Sequence, residues 1–356
     1  MAANRIVGLD GLRALSIALV LADHAAGNRF QGGGVGVAVF FVLSGYLITS
    51  LLAAEYAQNN RIQLRLFYGR RALRLWPALL AMLVVTVALG ASKMHALVAG
   101  LYFTDITDVF NRGASPYGHT WSLGVEEQFY LFWPLALAYL VGRTRRTLAI
   151  ALSAGIAFSI LGCAVWTWQS IETTGAIGVG VYNPIWQGHG LLIGCLLALL
   201  GREIRIPRAQ ATAMVAGAGI VLVALIGSWT ADKHVAVAWN VTTELLAAIL
   251  IVALRDVTSG VYTWPPAVWM GQRSYAIYLW HLPLMILLAE RGVPHFAAVG
   301  IVLAFAAAEV SARLVEKPFL KLKGRLYPES RRRVTTADDV APAVGFSVTE
   351  RLRPES

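Results

Sequence analysis

Windows of about 20 mostly apolar residues, the length a helix needs to cross a bilayer, recur from Gly11 almost to Leu314. The breaks between them are short and carry charges, Pro or Gly, and nothing among them reads as a soluble domain. Composition agrees: 57% of the residues are apolar and 14% charged, against roughly 45–50% and 25% in soluble domains. The expected fold is therefore an all-α integral membrane protein. Ten spans are predicted, over about 8–27, 34–54, 75–91, 123–141, 147–168, 185–200, 210–229, 236–254, 265–289 and 296–315.

The net charge of +10 does not point to nucleic acid, because the basic residues lie in short clusters between apolar runs. With the N-terminus in the cytoplasm, the inner segments hold 13 Lys and Arg, the tail from Arg313 holds ten more, and the outer segments hold five. That asymmetry predicts cytoplasmic termini and an even number of helices. Residues 1–325 read as one membrane domain and 326–356, rich in Pro, Ser, Arg and Glu, as a disordered cytoplasmic tail. The segment 92–122 is too broken to span and reads as external or re-entrant. Asp10 and Arg13 interrupt the first apolar stretch, so it reads as a helix rather than a cleaved signal. Cys163 and Cys195 each fall inside an apolar run and imply neither a disulfide nor a metal site.

Ionisable residues inside spans are costly and default to function. Arg13 and His24 are eleven residues apart, three turns plus about 20°, so they share a face and stand about 16 Å apart along the axis. They line a groove for a long anionic substrate, or else Arg13 snorkels inward and His24 caps the outer end. Arg70, Arg71 and Arg74 fit phosphate binding equally well as a positive-inside anchor. Ser122 and Glu126 read as a helix cap, although the adjacent Glu127 makes a mere cap unusual. His281, beside Tyr278 and Trp280, is a second base candidate or part of an aromatic belt. Glu309 is expected to pair with Arg313 at i+4, whereas Glu244 has no evident partner.

Four stretches in order carry a resemblance: Leu9-Asp10-Gly11-Leu12-Arg13-Ala14 with His24; Gly36 to Ile48; the arginine cluster; and Trp121-Ser122-Leu123-Gly124-Val125-Glu126-Glu127-Gln128-Phe129-Tyr130. With Ser274 to Pro283 and Glu316-Lys317-Pro318, they resemble the acyltransferase 3 family, membrane O-acyltransferases of bacterial polysaccharides and some antibiotics, over about residues 6–320. The resemblance implies a multi-pass protein of the cytoplasmic (inner) membrane. It gives Arg13 and His24 the catalytic core, Arg71 and Arg74, with Arg70 beside them, the acyl-coenzyme A donor, and Glu126 and Glu127 a central cavity. Trp121, Ser122, Tyr275, Tyr278, His281 and His189 are the expected substrate-binding residues. Ala38 stands where many relatives carry Asp or Glu, and Gln187 or His189 where they often present an arginine. No hydrolase-like domain follows here, so the membrane domain is expected to act alone or with a partner.

The expected reaction moves an acyl group, acetyl foremost, from cytoplasmic acyl-coenzyme A to a hydroxyl of a carbohydrate or related acceptor. His24 serves as general base or as acyl carrier, and Glu126 or Glu127 orients it or holds the acceptor. Acyl-coenzyme A is a co-substrate, with no tightly bound cofactor or metal, and homo-oligomerisation stays open. The acceptor stays open among glycan, lipid-linked sugar and macrolide-like metabolite. The rival reading is a transporter or flippase of a lipid-linked or anionic sugar.

Overall fold

A computed structural model describes residues 6–107, 116–141, 143–174, 184–229 and 236–327. Among them there is no strand, and fourteen α-helices follow in order. These are α1 (Gly8–Ala26), α2 (Gly33–Asn59), α3 (Leu64–Ala88), α4 (Lys93–Gly100), α5 (Thr104–Thr107), α6 (Trp121–Leu140) and α7 (Arg145–Thr174). Then come α8 (Gly188–Leu200), α9 (Ala209–Trp229), α10 (Ala236–Ala253), α11 (Pro265–Gln272), α12 (Ser274–Glu290), α13 (Phe296–Ser311) and α14 (Lys317–Leu326). A π-helical turn, Ala312–Glu316, joins the last two.

Five helical stretches are long and apolar enough to cross a membrane: α2, α3, α7, α9 and the continuous run Phe296–Leu326. Three more, α8, α10 and α12, are apolar but shorter. The helices α1 and α6 carry the ionisable groups, Asp10, Arg13 and Asp23 on one and Glu126 and Glu127 on the other.

The bounds differ from the sequence expectation in three places. First, α3 begins at Leu64 rather than near residue 75, so Arg70, Arg71 and Arg74 lie within the helix instead of at its mouth. Second, the run 265–289 is divided at Arg273, where the α-helical ladder gives way to a tighter N–H bond to Met270 O (3.1 Å). The Arg273 side chain is drawn there to Glu309 and lies 4.4 Å over the Trp269 ring. Third, the helix after 296 continues through the π-helical turn to Leu326. The expected tail falls, from residue 328, outside the described residues.

Helix α2 is the central post, packed on α1, α8 and α10. Small residues set its closest approach: a Cβ on Gly45 would stand 1.9 Å from Leu191 O, and one on Gly194 would stand 2.1 Å from Val42 O. The backbones of α2 and α8 thus touch, as membrane helices do where small residues face one another. Helix α1 is held similarly, since a Cβ on Gly271 of α11 would stand 1.8 Å from Asp10 O. The Asp23 carboxylate lies against Gly33, where an anion suits the first exposed N–H groups of α2. Between these posts lie α3, α6, α12 and α13, which share a core including Ile17, Phe41, Met82, Tyr117, Leu123 and Leu279.

Because overpacking a tight contact costs about 1–3 kcal/mol, Gly45→Ala is expected to destabilise the protein by at least that range. Thermal unfolding in detergent should show an earlier transition, with a smaller change for Ala38→Gly, about two turns nearer the start of the same helix.

Candidate active site

Two polar stations lie inside the bundle, and α1 runs through both. The first is built on His24. Its Nδ1 lies 3.1 Å from Val20 O and 3.1 Å from His281 Nε2. In turn His281 Nδ1 lies 2.7 Å from Tyr278 O. A carbonyl only accepts, so His281 carries its hydrogen on Nδ1, and its neutral ring presents Nε2 as an acceptor. Val20 O and His281 Nε2 both then require a hydrogen on His24 Nδ1. This network assigns the tautomer: the lone pair of His24 is on Nε2, which has no hydrogen-bond partner among the described residues. An imidazole with one nitrogen anchored and the other open is the form that accepts a proton.

His119 completes the station. Its ring stands edge-on to His281, centroids 5.1 Å apart. Both of its ring nitrogens are buried beside the backbone of Tyr278 and Leu279, with no partner at hydrogen-bond geometry among the described residues. Ser122 and Tyr278 tie the wall together: the Tyr278 hydroxyl donates to His119 O (2.5 Å) and lies 2.7 Å from Ser122 Oγ. Ser122 is therefore the donor of that second bond.

The second station is built on arginines and carboxylates. Arg71 makes a two-pronged pair with Glu127, Nε to Oε2 at 3.0 Å and Nη2 to Oε1, and lies 3.5 Å over the Tyr130 ring. Such a fork is well matched to a carboxylate. Glu126 accepts a hydrogen bond from Ser44 of α2. Arg13 stands 3.6 Å from Asp10. Arg74 lies in the field of Arg13 and Arg71 and, with the opposite sign, of Tyr130 and Glu316, yet makes no hydrogen bond or ion pair of its own among the described residues and is exposed. It is the open cation of the group. Because α1 is unbroken from Gly8 to Ala26, Arg13 and His24 keep their spacing of about 16 Å along the axis.

A sequence model of an acyltransferase domain matches residues 6–311. The chain belongs to the acyltransferase 3 family. It is 32% identical over 351 residues to the putative peptidoglycan O-acetyltransferase YrhL of Bacillus subtilis, covering 88% of this chain and 54% of that protein. It is 30% identical to the peptidoglycan O-acetyltransferase OatA of Listeria monocytogenes, with 89% and 56% covered. With the O-acetyltransferase OatA of Staphylococcus aureus the figures are 28% identity, 88% and 57%. The chain thus spans about half the length of these curated relatives. No solved structure matches. With its long apolar helices, this member of the family is a membrane protein.

Set against these stations, the residues singled out in the sequence separate into groups. The structure brings together His24, His281, Tyr278 and Ser122 in one station, and Arg13, Arg71, Arg74, Glu126 and Glu127 in the other. Tyr275 donates to Leu75 O (3.1 Å) and lies in the field of Arg71 and Glu127, beside the arginine station. Two neighbours stand elsewhere. Arg70 donates to Tyr327 O (3.3 Å) at the end of α14. His189 is buried against Glu244, Nδ1 to Oε2 at 2.6 Å, which supplies the partner that Glu244 lacked in the sequence. The capping arrangement of Ser122 and Glu126 is absent: α6 has no side-chain cap, and the two residues face Tyr278 and Ser44 instead. His281 is fully buried, not part of a surface belt, and it rather than a glutamate holds His24. Trp121 meets Phe41 edge-on at 6.2 Å. Glu309 pairs with Arg313 as expected and also with Arg273. Ser44, His119 and Tyr130 lie in or beside the stretches singled out in the sequence but were given no role there; His119 and Ser44 had a signal, being polar side chains bordering or inside apolar runs.

Removing one member of a buried ion pair typically costs about 3–5 kcal/mol, whereas replacing both by apolar groups is often neutral. Glu127→Ala should therefore lower the unfolding transition more than the joint change Arg71→Met with Glu127→Leu, measured side by side in detergent.

Proposed function

We propose that this protein transfers an acetyl group from acetyl-coenzyme A to a hydroxyl of a cell-wall polysaccharide, with His24 as general base. One observation carries the reading: the chain from Tyr278 O through His281 leaves His24 Nε2 open, on the same helix as Arg13 of the arginine station. Relatives named as peptidoglycan O-acetyltransferases support the acceptor class.

The protein is taken to cross the cytoplasmic membrane about ten times, with both termini on the cytoplasmic side. The donor's phosphates meet Arg74, with Arg13 further along, and its extended pantetheine arm follows α1 toward His24. Arg71, engaged with Glu127, orders the wall rather than the ligand. At the outer station His24 Nε2 takes the proton of the acceptor hydroxyl as that oxygen attacks the thioester carbonyl. The carbon–sulfur bond then breaks, and the departing thiolate takes the proton back from His24. His281, acceptor of the His24 Nδ1–H bond, steadies the imidazolium that forms between these steps by holding the ring in place. Acetyl transfer thereby proceeds without a covalent enzyme intermediate.

Proteoliposomes given acetyl-coenzyme A labelled in the acetyl group test the scheme. General bases typically contribute 10²–10⁴-fold, so His24→Ala should slow acetyl transfer to a soluble glycan acceptor by at least about 100-fold. Arg74→Ala should raise KM for acetyl-coenzyme A while leaving KM for acetyl-pantetheine, which lacks the phosphates, unchanged. Undiminished transfer by His24→Ala contradicts the assignment. Movement of a lipid-linked sugar with no consumption of acetyl-coenzyme A would favour a transporter.

A further inference from the structure

We propose that α14 is a lipid-reading strap, an interfacial helix whose partner is the anionic headgroup surface of the leaflet beside the arginine station. The argument starts from its sequence, Lys-Pro-Phe-Leu-Lys-Leu-Lys-Gly-Arg-Leu. At 100° per residue, Lys317, Lys321 and Arg325 fall within about 80° of one another. Phe319, Leu322 and Leu326 fall within about 60° on another side. All six are exposed. The three cations make no hydrogen bond or ion pair among the described residues.

Position supports the same partner. The strap is the charged last part of the continuous run Phe296–Leu326, set off from α13 by the π-helical turn at Ala312–Glu316. Glu309 is the one charge between Phe296 and Ala312, and six follow from Arg313 to Arg325, the pattern of a helix passing from acyl chains to headgroups. Its far end is latched to the first turns of α3. The Tyr327 ring lies on Gly69, where an added Cβ would stand 2.5 Å from Tyr327 Cζ, and Arg70 donates to Tyr327 O at 3.3 Å. Arg70 is on the same helix as Arg74, so the strap borders the basic mouth of the bundle. A helix with basic residues on one face and Phe and Leu on another lies in the interface plane, apolar side among the acyl chains and cations among the headgroups. Each Lys or Arg near an anionic surface strengthens the attraction about five-fold, and three together roughly a hundred-fold. A neutral surface gives no such gain. A protein partner would need carboxylates along the same stripe and an apolar face to match Phe319, Leu322 and Leu326; a phospholipid leaflet supplies both in one surface.

The test uses the full chain with Leu322→Cys carrying an environment-sensitive fluorophore, reconstituted in vesicles of phosphatidylcholine alone or with about a third phosphatidylglycerol. Anionic vesicles should give a blue-shifted emission quenched by nitroxide-bearing lipid, and neutral vesicles a weaker quench. Raised salt should reduce the difference, because screening acts on exposed charges. The triple change Lys317→Gln, Lys321→Gln and Arg325→Gln should remove it. Lys321→Gln alone should reduce it partially, which separates a graded electrostatic effect from misfolding of the triple variant. Equal quenching in both vesicle types, or a label shielded only when a soluble protein is added, overturns the proposal. The readout does not depend on catalysis, so it stands apart from the reaction assigned to His24.

Discussion

A polar side chain inside an apolar bundle must find its partner within the protein, because lipid offers none. That constraint organises this molecule. It draws Arg71 onto Glu127 and Tyr130, Ser44 onto Glu126, His189 onto Glu244 and Glu309 onto two arginines. Apart from Glu309 with Arg313, four residues apart, each pairing joins segments that are distant in sequence. The pairs therefore fix which helices are neighbours as much as the apolar contacts do, since an apolar face alone packs against lipid as readily as against another helix.

Against that background the groups left without a partner stand out. Among the described residues His24 has one ring nitrogen anchored and the other open, and Arg74 has none of its donors in a hydrogen bond or ion pair. The two lie on the two stations that α1 connects, one suited to proton removal and the other to an anion. A structural role for either residue would be served better by pairing, as its neighbours are. The neighbours in turn explain how the open groups are held. His281 fixes the tautomer of His24, while Tyr278, bonded to His119 O and close to Ser122 Oγ, holds the helix that bears His281.

Much of this was legible in the sequence. Apolar runs gave helices α2, α7 and α9 nearly to their ends, and the eleven-residue interval gave the shared face of Arg13 and His24. The arginine cluster was visible in the sequence, but not which arginine is open, because Arg71 is set apart from Arg74 by Glu127 of α6. Glu127 lies 56 positions from Arg71, and His281 lies 257 from His24; no local period connects such pairs. The start of α3 was placed late because Arg65, Arg70, Arg71 and Arg74 lower its hydropathy, although alternating leucines and arginines make a good amphipathic helix. The break at Arg273 was missed for the opposite reason, since the apolar run continues through a turn fixed by Glu309 on another helix.

The account stands or falls on which nitrogen of His24 carries the hydrogen. Nitrogen-15 spectra of the histidine-labelled protein near neutral pH, with His24 assigned through the missing resonance in His24→Gln, report this directly. The account predicts a neutral ring with hydrogen on Nδ1 and a bare Nε2. A hydrogen on Nε2 instead would leave no lone pair facing the acceptor and would contradict it.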